Sequence, residues 1–339
     1  MANEYFAIIL EVSPRVLNVG FAGESSPQVS LHPDLTLCKR YLTKQRGCIY
    51  PRYLDLHSHS LTPEQKLSLE DALRNDSRKL NLLEKYNQDY GLRFVNWSQD
   101  DYRTLARLIK YIVTRILLVS PAQAKIFVLD QGLPVMEKFH LTKALVEATS
   151  CARSVYFIPR IPCVSMAANV EDSLVIDFQW QECRVIALQE LRIVKEAAVV
   201  EYSEETVCYR LVEEGVVDDA DEALSILDEK SCSIFEGLSA WIARFVHFLA
   251  VDVRPKVVQN VVFCGDLVKS VELQRQLVKD IQNALPNLRV SGKHCLGAWT
   301  GASIYCSTTL LRHDMNELRH SEVTKEKLHT GHWKDILLS

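Results

Sequence analysis

Three carboxylates and a pair of histidines are the groups whose placement in this chain could do chemistry. Glu11 and Asp177 each stand at the end of an apolar run, and Asp266 follows the run Val261-Val262-Phe263-Cys264-Gly265. Acids so placed could position metal-bound water for phosphoryl transfer, provided that backbone amides nearby cradle the phosphates. Such a cradle needs glycine, whose missing Cβ lets amides crowd around an anion. The residues after Glu11 are Val12-Ser13-Pro14-Arg15, and those after Asp177 are Phe178-Gln179-Trp180-Gln181. Neither stretch has a glycine, and Pro14 has no N–H to offer. Each charge-assisted hydrogen bond lost in this way is worth roughly 1.5–3 kcal/mol, so several together would weaken phosphate binding by orders of magnitude. His57 and His59, two apart, could ligate a metal, but no Cys or His cluster accompanies them and a surface loop is the simpler reading.

Composition narrows the classes. The chain has 339 residues, 47% of them hydrophobic, enough to bury a large core in two or three domains. Its formal net charge of −4 argues against a nucleic-acid surface. Glu201 to Glu229 carries eleven acids against Arg210 alone, which reads as a solvated face or as a docking surface for a basic partner. Ten cysteines are scattered without a CxxC pair, and the start, MANEYF, has no basic region followed by an apolar core. Both point to reduced thiols in the cytosol or nucleus. No apolar run approaches the roughly 20 residues that cross a bilayer, so no membrane role is expected.

The acids must be positioned by the elements around them. Ile8 to Pro27, IILEVSPRVLNVGFAGESSP, reads as a β-hairpin, with Phe6 to Leu10 and Arg15 to Val19 flanking Val12-Ser13-Pro14, then the turn Gly20-Phe21-Ala22-Gly23. Thr62-Pro63-Glu64-Gln65 has the cap, first-turn proline and capping-box residue of a helix start. Ser98 caps a stronger helix with Tyr102, Leu105, Leu108, Ile109, Ile112, Val113, Ile116 and Leu117 at helical spacing. Strands are expected at 125–130, 155–158 and 174–177, with a return strand at 183–188, and helices at about 136–148 and 162–168. Helical patterns follow near 204–214, 219–228 and 234–249, then a strand over 260–266 and a helix over 271–285. Alternating strands and helices mean an α/β layer with a largely parallel sheet. The tail ends in Trp333-Lys334-Asp335-Ile336-Leu337-Leu338, an apolar cluster that either ties the terminus down or docks a partner.

In order, the hairpin with GFAG, the strand KIFVLD and its helix, the strand SVYFI, the hairpin after SLVID, the strand NVVFCG before a helix, and Trp299-Thr300-Gly301-Ala302-Ser303 resemble the actin family. The resemblance covers about half of the residues and leaves 28–124 and 191–258 poorly matched. It implies an actin-like (ribonuclease H-like) two-lobed α/β fold: a first lobe over 1–168, a second over 169–296 with a trimmed outer subdomain at about 191–258, and a return to the first lobe over 297–339. It also implies a degenerate nucleotide cleft. Glu11 stands where the family has Asp, Ser13 and Arg15 where it has glycines, and Asn18 where it has Lys. Arg160 stands where the family has the Gln that orients water, and a guanidinium is no general base at neutral pH. Of the second hairpin's pattern only Asp177 is kept, Phe178 and Trp180 putting bulk where phosphate oxygens would lie. Asp266 replaces the second glycine of the adenine-side motif.

The resemblance thus implies a non-catalytic structural subunit without a cofactor or metal. Within the family it is closest to the divergent class that caps the pointed end of dynactin's actin-like filament. Its expected partners are that filament protein and other pointed-end subunits, in a hetero-oligomer of the cytoplasm and cytoskeleton supporting dynein-driven transport and nuclear migration. The alternatives are an actin-related subunit of a nuclear chromatin-remodelling complex and an active ATPase. An empty cleft would need its acids neutralised, so Arg15 or Arg160 is expected to pair with Glu11, Asp177 or Asp266 across the lobes, with Trp180 filling space.

Overall fold

The computed structural model describes residues 5–13, 16–34, 52–55, 99–179, 182–213, 235, 237–265, 271–311 and 321–337. The expected helix start at 62–65, the Ser98 cap, the helical pattern at 219–228 and the His57–His59 pair lie outside the described residues. Those described are mixed α/β and fall into two compact units. One holds the described residues up to 160 and those from 302 onward, and the other those from 161 to 301.

The first unit is organised on β1 (Phe6–Val12), whose Ile8, Ile9 and Leu10 are wholly buried. Successive apolar residues buried on both faces belong in the middle of a covered sheet. β1 turns back antiparallel into β2 (Leu17–Phe21) with Val12 opposite Leu17, and β2 pairs antiparallel with β3 (Val29–Asp34), which meets β4 (Arg52–Asp55). On its other side β1 pairs parallel with β5 (Ala124–Asp130), and β5 pairs parallel with β6 (Ser154–Pro159). Helix α1 (Gln99–Tyr111), extended by a π-helical turn Ile112–Ile116, and α2 (Val135–Lys143), extended by Ala144–Ala148, cover this sheet. The periodic apolar residues from Tyr102 to Val113 are the buried ones, as the spacing requires.

The second unit repeats the plan. Helix α3 (Arg160–Ala167) leads to β7 (Ser173–Phe178), which folds back antiparallel into β8 (Cys183–Gln189) and then β9 (Arg192–Val199). β9 has no counterpart in the sequence expectation, because RIVKEAAV is mostly exposed and shows no apolar run. Helices α4 (Glu204–Glu213), α5 (Leu238–His247) and α6 (Arg254–Val258) precede β10 (Val261–Gly265). β10 pairs parallel with β7 and with the short β11 (Gly292–Lys293), while α7 (Val271–Ala284) lies between them in the chain. Five successive strands of the seven-stranded first sheet, β3-β2-β1-β5-β6, therefore match the five-stranded second sheet, β9-β8-β7-β10-β11, in order and in strand direction, with β4 and a further strand from the tail at the two edges of the first.

Helix α8 (Ala298–Leu311) closes the chain's last long stretch. A Cβ at Gly301 would fall 1.8 Å from the Cys163 carbonyl oxygen, so only glycine lets this turn of α8 touch the α3 backbone. The tail adds β12 (Val323–Thr324), antiparallel to β6, and the short helices α9 (Lys325–Thr330) and α10 (Trp333–Leu337). Trp333 stacks on Phe139 at 4.2 Å and Leu337 is buried, so the tail's aromatic and apolar residues are tied to the chain's own first unit.

Candidate functional site

The groups that could do chemistry stand at the tips of the two hairpins. In the first hairpin Ser13 closes the tip. Its N–H donates to the Val16 carbonyl at 2.9 Å, its hydroxyl donates to the same carbonyl at 3.1 Å, and that hydroxyl accepts the Val16 N–H at 3.0 Å. The Ser13 and Val16 amides are thus bonded inside the turn, and between them stands Pro14, which has none. Among the described residues of this tip, no amide is left over for a phosphate.

Two residues before the tip, Glu11 is 7% exposed. Its Oε2 accepts the Asn18 side-chain N–H at 2.8 Å, and Asn18 Oδ1 accepts the Ser30 hydroxyl at 2.7 Å. Lying opposite Glu11 in the ladder, Asn18 is the acid's hydrogen-bond partner. The other oxygen, Oε1, lies 3.8 Å from Arg160 Nε, an ion-pair contact longer than a hydrogen bond. Both partners are buried, so the pair feels a lower dielectric than a surface pair would.

Two expectations about this arginine change. Arg160 opens helix α3 rather than lying in a loop before it. Its pairing with Glu11 also forms within the first unit, not across two lobes. The cause is local: Arg160 directly follows β6, and β6 lies only β5 away from β1 in the same sheet.

In the second hairpin Gln179 N–H donates to the Glu182 carbonyl at 2.9 Å, and the Gln179 carbonyl accepts the Glu204 N–H at 3.1 Å. Asp177 is fully buried. Its Oδ2 accepts from the Gln179 side chain at 2.6 Å and its Oδ1 from the Cys264 thiol at 2.8 Å. Burial first, then the negative Asp177 and Glu182, push the Cys183 thiol well up, which keeps it protonated and unreactive. Phe178 corrects the sequence expectation: its ring lies in the core of this unit, edge-on to Phe235 at 5.5 Å, not among would-be phosphate oxygens. Strand alternation sends Asp177 and Phe178 to opposite faces.

Gly265, read as part of a nucleotide motif, has a different reason here. It sits beside Phe178 in the ladder at φ +110°, and a Cβ would fall 2.0 Å from the Phe178 carbonyl oxygen. Arg15, Trp180 and Asp266 lie outside the described residues.

Sequence reasoning missed one junction altogether. Ser303 Oγ accepts the Gly23 N–H at 2.9 Å and donates to the Glu24 carbonyl at 2.7 Å, so the GFAG turn and the WTGAS helix are bonded to each other. Both motifs were visible, but nothing in their spacing says that they meet. Next to the turn, Tyr5, Phe6, Ala7, Phe21, Ala22, Gly23 and Ser307 line an open depression of about 500 Å³.

No group of three or more metal-ligating side chains occurs among the described residues, and among them no helix is long and apolar enough to cross a membrane. Compared with models of known protein families the chain matches none, and no curated protein matches it.

Proposed function

We propose that this chain is a non-catalytic, actin-related structural subunit that caps the pointed end of dynactin's actin-like filament. In this reading it has the actin-like (ribonuclease H-like) two-lobed fold with a degenerate cleft. It works in the cytoplasm and cytoskeleton as part of a hetero-oligomer, in support of dynein-driven transport.

The observation that carries the reading is the pair of matching hairpins. Two sheets of one strand order each begin with a hairpin at whose tip an acid survives while the phosphate cradle does not. A fold that keeps its strand plan and gives up its anion-binding turns is one retained for its surfaces. The actin motifs of the sequence supply the family, and the capping role follows from the trimmed stretch at 191–258, which would leave no seat for a further protomer.

The test is mass spectrometry of proteins that co-purify with the tagged chain expressed at endogenous level. Recovery of an actin-like filament protein with dynactin's other pointed-end subunits is the expected result. Recovery of a chromatin-remodelling ATPase instead would overturn the proposal.

A further inference from the structure

Lys125 is the second residue of β5, and only 7% of it is exposed. A buried ammonium needs a counter-charge and acceptors for its N–H groups. Nearby strands supply aromatic groups: Nζ donates to the Tyr156 hydroxyl at 3.1 Å and lies 4.4 Å from the centre of the Tyr5 ring, within cation–π range. The carboxylate comes from far along the chain, Glu322 Oε1 at 3.1 Å. Burial would raise the Glu322 carboxyl, but the neighbouring Ser154 hydroxyl, the Lys125 ammonium and the Tyr156 hydroxyl hold it below its ordinary value.

Glu322 immediately precedes β12, which makes just two residue pairs with β6: Val323 with Val155 and Thr324 with Ser154. Beyond it the segment is anchored by buried Leu328 and Leu337, the Trp333–Phe139 stack, and a His329–Glu147 contact at 3.8 Å. Few backbone bonds and a handful of anchors make a unit whose local opening costs less than opening the sheet.

We propose that residues 321–337 form a latch, a strap seated on the edge of the first sheet and locked by the Lys125–Glu322 pair, which opens as a unit while the sheet beneath stays folded. Lys125 retains Tyr156 and Tyr5 when the strap lifts, so the sheet is not left with an ammonium stripped of every partner. Opening uncovers the Ser154–Val155 strand edge with a cation at its mouth.

The test is hydrogen exchange of the full-length protein, read by mass spectrometry, in Glu322→Gln, Trp333→Ala and the double variant Lys125→Met with Glu322→Leu. In Glu322→Gln, peptides covering 321–337 and 154–158 should exchange about tenfold faster while those covering 6–12 and 183–199 keep their rates. The double variant, an apolar pair in the same space, should return the strap to within about threefold of the parent. Trp333→Ala leaves the ion pair in place and carries the same test should Glu322→Gln fail to fold. An unchanged strap overturns the latch. So does equal acceleration over 6–12, because the segment would then open only with the whole unit.

Discussion

Residues 13–16 lie between the paired Val12 and Leu17, and residues 179–182 between the paired Phe178 and Cys183. In both tips the first amide donates to the last carbonyl at 2.9 Å. The acid two places before each tip is held quite differently. Glu11 faces Asn18, accepts its amide, and has Arg160 as counter-charge. Asp177 faces Arg184, yet that guanidinium pairs outward with Glu196 at 2.9 Å and Glu182 at 3.5 Å, and among the contacts of Asp177 are the Gln179 side chain and the Cys264 thiol, both donating to it. One turn geometry therefore accommodates two ways of keeping a buried acid. Neither uses the glycine amides that phosphate binding requires.

Substitutions can break or sharpen this comparison, the harshest being at the strand beside the second tip. Gly265→Ala forces a Cβ into the Phe178 carbonyl and should cost about 4 kcal/mol or more, measured by urea denaturation. At the first hairpin, Glu11→Ala removes a counter-charge from buried Arg160 and should cost about 3 kcal/mol. Glu11→Gln with Arg160→Met should recover most of that, and a double-mutant cycle without coupling would break the contrast drawn here. Ser13→Ala removes the hydroxyl that closes the first tip and should cost about 1 kcal/mol by the same denaturation.

The smallest effect concerns the helices that follow β5 and β10, each with a glutamate in its first turn. Glu137 of α2 is 9% exposed and burial raises its carboxyl to about 7, whereas Glu272 of α7 is exposed beside Arg275 at 3.3 Å. An acid whose folded value is raised is neutral in both states below its ordinary value of 4.5. Between there and about 7 the unfolded chain ionises first, so the native state loses stability with rising pH. Glu137→Gln should therefore raise the melting temperature by about 2–4 °C at pH 8 and leave it unchanged at pH 4. Glu272→Gln, which removes only an exposed ion pair, should change the melting temperature by less than about 1 °C.

Much of the strand and helix order was legible because buried parallel strands such as Lys125 to Asp130 are continuous apolar runs and α1 has an apolar stripe. β9 was not, since an exposed edge strand carries no such run. Glu11, Asn18 and Asp177 could be singled out as acids and hairpin positions. Arg160 could be offered as a counter-charge for Glu11, but Ser30 and Cys264 could not be foreseen: they reach Asn18 and Asp177 through strand register, a property of the assembled sheet. Phe178 was misread because a side chain's face depends on the phase of the strand, which a motif comparison does not supply. Gly265 and Gly301 were seen as small, but the carbonyls that make them necessary belong to residues 87 and 138 positions away, Phe178 and Cys163.

The proposal's central claim is that the two hairpins carry buried acids beside tips whose described amides bond within the protein, and that neither tip binds a phosphate. Calorimetric titration of the full-length protein with ATP and magnesium tests it most directly. The account predicts no saturable heat at nucleotide concentrations up to about 1 mM, a binding free energy weaker than about −4 kcal/mol. Saturation in the micromolar range, abolished by Asp177→Asn or Glu11→Gln, would contradict it.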